Sequence, residues 1–389
     1  MRSYDVIVIG GGIHGVGVAQ AAAARGHSVA LIEQRALAWG TSSRSSKLIH
    51  GGLRYLESAQ LGVVRECLHE RTLLLKLAPE LVRLVPFHIP IYRETTRRPW
   101  QITAGLSLYA VLASFQRGAG FRRVPRTEWG GLDGLKTGGL QAVFQYWDGQ
   151  TDDALLTQAV MRSAQSLGAE LFMPAAFVGA ELTAEGCEVH LSQQGVEQRL
   201  QAKVLVNASG PWVNRVLQQI TPMPSTVAVD LVQGTHLVLE GHLAKGIYYL
   251  EAPQDRRAVF TIPWQDQVLL GTTEKAFSGD PAQVAPTVEE ERYLLETAGY
   301  YFAQLRDANV IARFAGLRVL PSAQGAAFGR SRETILHVDR AEKPRLLSIY
   351  GGKLTAYRAT AGKVMDRLHA SLPMRKAVAD TRQLSLTPS

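Results

Sequence analysis

Tyr4-Asp-Val-Ile-Val-Ile-Gly10-Gly-Gly12-Ile-His-Gly15-Val-Gly-Val-Ala-Gln-Ala-Ala-Ala-Ala-Arg25-Gly-His-Ser-Val-Ala-Leu-Ile-Glu33 reads as strand, glycine turn, helix, strand. Val6 to Ile9 is an unbroken β-branched run, the pattern of a parallel strand buried on both faces. Gly10 to Gly17 interrupts it, and Val18 to Arg25 is alanine-rich and helical. Gly26 stops that helix, and Ser28 to Ile32 is a second apolar strand. Such a βαβ unit opens a doubly wound sheet. Within it Gly10-x-Gly12-x-x-Gly15 follows a strand and opens a helix, the context in which the spacing has a mechanism. Gly10 permits a tight turn, Gly12 lets backbone approach a pyrophosphate, and Gly15 lets helix and strand pack closely. The helix N-terminus offers N–H groups and partial positive charge to phosphates. Glu33, followed by Gln34, ends the second strand 18 positions after Gly15 (33 − 15), where a carboxylate can accept from a ribose diol. The motif alone does not separate NAD from FAD.

Two distant elements favour FAD. Val204-Leu-Val-Asn-Ala208-Ser-Gly210-Pro-Trp212 is a strand running into a glycine turn. Near the C-terminus, Tyr350-Gly351-Gly352-Lys353-Leu354-Thr355 reads as strand, glycine pair, helix start. A helix beginning there and running to Leu368 would place its dipole at the N1–C2=O edge of a reduced flavin.

Farther along, the spacing predicts helices over Leu61 to Leu77, Asp153 to Leu167 and Thr287 to Leu305. Alternating stretches from Val227 to Thr273 predict an antiparallel sheet. Ile102 to Phe115 carries no charge but is shorter than the ~20 residues that span a bilayer. The chain has 42 Lys+Arg against 34 Asp+Glu, a net +8. That charge suits an anionic small ligand or membrane surface; with no zinc spacing and no compact basic arm, neither nucleic acid nor a metal site is expected. Cys67 and Cys187 form no motif, and the N-terminus opens as a strand, so a cytoplasmic location is expected.

The chain resembles the FAD-dependent (respiratory) glycerol-3-phosphate dehydrogenases. The resemblance rests on Thr41-Ser-Ser-Arg-Ser-Ser-Lys-Leu-Ile-His50-Gly-Gly-Leu-Arg54-Tyr55-Leu56, Gln233-Gly-Thr-His236, Val259-Phe-Thr-Ile-Pro-Trp264 with Gly271-Thr-Thr273, and Gly351-Gly-Lys-Leu-Thr355. It runs over nearly the whole chain to about residue 370. It implies a Rossmann-like FAD-binding domain of the glutathione-reductase-like, DAO superfamily type, in residues 1–80, 140–220 and 330–370. An interleaved antiparallel substrate domain would take 81–139 and 221–329, leaving 371–389 as a tail. Ser42, Ser46, Lys47 and Leu48 match positions along the FAD, and Phe177 matches the adenine contact. Ala208, Gly210, Gly352, Lys353, Leu354 and Thr355 fall in the two further flavin elements. Arg54, Arg318, Arg332 and Lys353 match positions holding a phosphate and hydroxyl, with His50, Tyr55 and His236 lining the same pocket. Family members carry a further helical C-terminal domain, and a short form without it is expected here. Gly316-Leu-Arg318-Val319 lacks the family's proline after the arginine, and Glu274 stands where Asp is usual.

Chemistry supports the same set independently. Removing hydride from a secondary alcohol requires its C–H held near flavin N5 while the hydroxyl loses a proton. Guanidinium forks and a lysine suit a dianionic phosphate, and His50 or His236 could take the proton. His50, Arg318 and Lys353 are thus the expected catalytic residues, with Arg54, Tyr55, His236 and Arg332 binding substrate. The implied reaction oxidises sn-glycerol 3-phosphate to dihydroxyacetone phosphate. Electrons would pass to a quinone at the anionic inner face of the cell membrane. The alternatives are a related flavoenzyme that oxidises another small anionic alcohol, hydroxy acid or amine with oxygen or a soluble acceptor, and a flavin-binding protein without turnover.

Overall fold

The computed structural model describes residues 1–57, 59–114, 118–322 and 334–388. Arg2–Ile9 runs parallel between Val29–Ile32 and Val196–Asn207. Leu346–Tyr350 pairs parallel with the end of Val196–Asn207, so the two ends of the chain meet in one sheet. Among the described residues this sheet has nine strands and a second has ten. Alternation along the first strand explains the unbroken apolar run. Val6 and Val8 face one core with helix α1 (Ile13–Ala24), whereas Ile7 and Ile9 face another across the sheet.

Helix α2 (Leu61–Leu77) follows the serine-rich segment, and α3 (Pro99–Leu112) covers the charge-free stretch; Phe115 lies outside the described residues. Helix α4 (Asp153–Ser166) is capped by Asp152, whose carboxylate accepts from Ala154 and Leu155 N–H, and packs on α1. A short α5 (Val213–Leu217) precedes the second sheet. Helix α6 (Val288–Tyr301) starts at a capping box of Thr287 and Glu290 and is shorter than the sequence pattern predicts, because Ala303–Leu305 tightens into a separate 3-10 turn. Helix α7 starts at Tyr357 and ends at Leu368. The glycine pair therefore does not lead straight into a helix: Lys353–Ala356 form a turn first, and the expected helix dipole begins a turn later.

The second sheet is mostly antiparallel and carries the residues expected to meet substrate. Val229–Leu239 pairs with Val310–Pro321, setting His236 opposite Phe314 and Val232 opposite Arg318. We propose the domain boundaries expected from the sequence with one change: Leu140–Thr151 belongs with this second sheet, since it is bonded along its length to Val82–Tyr92. The tail lies against the FAD-side layer, with Val378 N–H donating to Ala24 and Leu386 N–H to Leu77. Cys67 and Cys187 are both buried, which pushes their thiols up to about 11 and about 12.

Candidate active site

A cavity of about 610 Å³ runs between the two sheets. One end is made by the dinucleotide elements. Gly10 has φ +106°, and a Cβ there would stand 2.7 Å from the Ala208 carbonyl oxygen. A Cβ at Gly15 would stand 1.9 Å from the Gly10 oxygen, so these glycines let turn, strand and helix touch. Gly12 is the N-cap of α1 and offers no side-chain cap. The Glu33 carboxylate accepts from Gly11 N–H (2.7 Å) and Arg35 N–H (2.8 Å), which fixes it at the cavity wall beside Gln34. Ser42 accepts from Ile13 N–H at 2.9 Å, joining the serine-rich loop to the helix start. Ala208 N–H donates to Ile9, which brings the Val204–Trp212 element against the first turn. Phe177, Ser46, Leu48, Gly210, Leu354 and Thr355 line the same cavity.

Gly15 and Lys47 do not line it. Gly15 acts behind the wall, through packing. Lys47 has φ +60° and is almost completely buried. Its ammonium is paired with Asp153 and donates to the Ser43 carbonyl. The resemblance implied that Lys47 lies along the cofactor; its side chain instead ties the serine-rich loop to the start of α4. Burial raises the Asp153 carboxyl, and the Lys47 ammonium and Ser45 oppose that shift.

Arg54, Tyr55, His50, Arg318, Lys353 and His236 come together from four separate segments to line the same cavity. His50 is held through its backbone, with its N–H donating to Thr355 Oγ1 (3.1 Å) and its carbonyl accepting from it (3.3 Å). The next amide, Gly51, donates to Tyr109 Oη at 2.9 Å. Tyr109 in turn donates to Asp148, which accepts from Arg71 at 2.9 Å. Lys353 Nζ sits 4.1 Å from the centre of the Tyr55 ring. Arg318 donates to Glu274 (3.2 Å), Thr272 Oγ1 (3.1 Å) and the Thr273 carbonyl (3.1 Å). Those three bonds fix the guanidinium in place. Gly234 leaves room for it: a Cβ there would be 2.4 Å from Arg318 Nη2, so a larger residue would displace the guanidinium.

His236 is held in the cavity wall. It stacks on Phe314 with ring centres 5.0 Å apart, and its Nε2 shares a hydrogen bond with Ser46 Oγ at 2.9 Å. Burial, with the charges of Arg318 and Lys47 adding to it, holds the imidazole down at about 3. It is therefore neutral at neutral pH and unable to compete for a substrate proton. Arg332 lies outside the described residues. Sequence reading did not pick out His14, Arg44, Trp39, Trp212, Tyr249 or Arg257, all of which line the cavity. Arg257 stands out chemically: it pairs with Asp255 and donates to the Glu274 carbonyl. No motif flags it, because it lies in a turn between strands rather than at a characteristic spacing.

Three comparisons bear on this site. The family model for FAD dependent oxidoreductases matches residues 5–358. A glycerol-3-phosphate dehydrogenase of Pseudomonas aeruginosa is 40% identical over 371 residues, covering 94% of this chain and 71% of that protein. The D-erythritol 1-phosphate dehydrogenase of Brucella abortus is 35% identical over 381 residues, covering 96% of this chain and 75% of that protein. Among solved structures, the glycerol-3-phosphate dehydrogenase of Bacillus halodurans complexed with FAD superposes with a TM-score of 0.73 at 26% identity, covering 99% of this chain and 68% of that one. FAD fits the cradle: the Glu33 carboxylate, the Gly10 turn and the start of α1 at Gly12 and Ile13 line a single cavity with the Gly351–Gly352 turn. The chain belongs to the FAD dependent oxidoreductase family and, within it, to the glycerol-3-phosphate dehydrogenases.

Proposed function

We propose that this enzyme oxidises sn-glycerol 3-phosphate to dihydroxyacetone phosphate. The observation that carries the reading is the convergence of Arg54, Arg318 and Lys353 with His50 on a single cavity that the dinucleotide cradle also lines. Bound FAD supplies the hydride acceptor. Arg318, already oriented by Glu274 and Thr272, presents its guanidinium to the phosphate, and Arg54 and Lys353 add positive charge. His50, held through its backbone by Thr355, takes the hydroxyl proton as the carbonyl forms. His236 stays neutral and shapes the pocket wall. The Brucella relative's name points to a second reading, in which a longer polyol phosphate uses the same cationic end. Anaerobic mixing with glycerol 3-phosphate, erythritol 1-phosphate, glycerol, 2-hydroxy acids and amino acids decides between them. We expect faster flavin bleaching with glycerol 3-phosphate than with erythritol 1-phosphate and none with glycerol; the reverse order of the two phosphates would favour the second reading. Bleaching by an amino acid alone would overturn the reading.

A quinone acceptor at a membrane surface belongs to the same proposal. The outer face of α3 exposes Trp100 (70%), Val111 (55%) and Leu108 (38%). Arg98 stands at the N-cap position of the helix, and Arg93, Arg122, Arg123 and Arg126 are exposed nearby in sequence. No helix among the described residues is long and apolar enough to cross a membrane. Apolar burial and attraction to anionic lipid act together on such a surface. Co-sedimentation with anionic vesicles should be strong at low salt, fall as salt screens the arginines, and fall again in Trp100→Asp. Protein left in the supernatant with anionic vesicles at low salt would favour a soluble acceptor.

A further inference from the structure

His14 occupies the opening turn of α1, between Gly12 and Gly15. Its ring lines the cavity that holds the dinucleotide elements. It also packs hard against the turn from the far end of the chain. A Cβ at Gly352 would come within 2.0 Å of His14 Nε2 and 2.7 Å of Cε1. Gly352, at φ +113°, is thus glycine for two reasons, its backbone conformation and this ring. The two ring nitrogens have different surroundings. Nδ1 is sealed inside the protein with no hydrogen-bond partner among the described residues. Nε2 is the nitrogen turned toward Gly352.

Burial holds the imidazole down at about 4, so the ring is neutral at neutral pH and carries a single N–H. A buried N–H with no acceptor is rarer and more costly than an unused lone pair. The proton therefore belongs on Nε2, and Nδ1 keeps the bare lone pair. A neutral donor at this point suits a ligand that must be reached from both the α1 start and the Gly351–Gly352 turn.

We propose that His14 is a further cofactor-binding residue, its Nε2–H donating to bound FAD where the first and last elements of the cradle meet. Titrating apoprotein with FAD by fluorescence quenching tests it without any turnover. His14→Phe keeps a ring and removes the donor, and should weaken FAD about tenfold, near the worth of one hydrogen bond. His14→Asn is smaller but keeps an N–H, and should bind FAD nearly as wild type does. Wild-type affinity in His14→Phe, or equal losses in both variants, would overturn the assignment, the latter by showing that only ring packing matters. Nitrogen NMR of histidine-labelled wild-type protein gives a second measurement if a variant misfolds. It should report a neutral His14 ring protonated at Nε2 whose signal moves on adding FAD; the opposite tautomer, or no change, defeats the proposal.

Discussion

Gly15→Val protein is expected to purify without flavin and with a disturbed N-terminal unit. The Gly15 Cβ position lies 1.9 Å from the Gly10 carbonyl oxygen and 3.1 Å from its carbon. Both atoms are backbone, so no side-chain rotation relieves the clash. Either α1 lifts from the sheet or the Gly10 turn opens. Overpacking a tight core costs about 1–3 kcal/mol, and here the displaced atoms are themselves the cradle. Gly12 offers a control. A Cβ there meets only the Ser42 hydroxyl, at 3.1 Å, and that side chain can turn away. Gly12→Val should therefore fold with normal secondary structure yet lose flavin, because the added branches occupy the space a pyrophosphate needs. Flavin absorbance per protein and far-ultraviolet circular dichroism together separate the two. A yellow Gly15→Val protein with wild-type flavin content would mean that the helix and turn do not meet as described.

Arg318→Ala should lower kcat/KM for glycerol 3-phosphate by roughly 30- to 1000-fold, or about 2–4 kcal/mol of transition-state stabilisation. The guanidinium is mostly buried, with 22% of its side chain exposed, and its partner Glu274 is 9% exposed. An anion docking there meets a fixed fork in a weakly screened setting, which is why the effect exceeds that of a surface charge. Arg318→Lys keeps the charge but cannot reproduce the fork, and should fall between wild type and alanine. Flavin content should be unchanged in both, since the Arg318 side chain is bonded to Thr272, Thr273 and Glu274 rather than to the glycine turns of the cradle. The measurement is the rate of flavin reduction against substrate concentration under anaerobic conditions, with thermal stability followed alongside. Reduction at the wild-type rate in Arg318→Ala would make the arginine a strut for the Thr272–Glu274 loop and remove it from the substrate site.

The βαβ start was fully determined by local sequence, because each of its demands is local. Val6 to Ile9 are buried on both faces, Gly10 needs a positive φ, and Gly15 must vanish for helix and strand to touch. Helix α2 could likewise be read from its periodicity, and α4 from its periodicity and the stop after it. The candidate substrate pocket was legible only through family resemblance, since Arg54, His236, Arg318 and Lys353 are separated by long stretches and share no spacing. What no pattern could supply was environment. Whether a histidine is a base depends on what surrounds it, and burial, with the charges of Arg318 and Lys47 adding to it, makes the His236 imidazole a weak one. Lys47 was placed beside the cofactor by its position in a motif, but its left-handed backbone sends the ammonium to Asp153 instead. His14 and Arg257 were invisible for the converse reason. Their roles arise from contacts across hundreds of residues in one case and from a turn between strands in the other. The sequence by itself determined where a dinucleotide binds and which strands and helices carry it. Only the tertiary structure decided which charged groups line the cavity and how each is paired within the protein, because desolvation and pairing depend on distances between segments that the sequence does not encode locally.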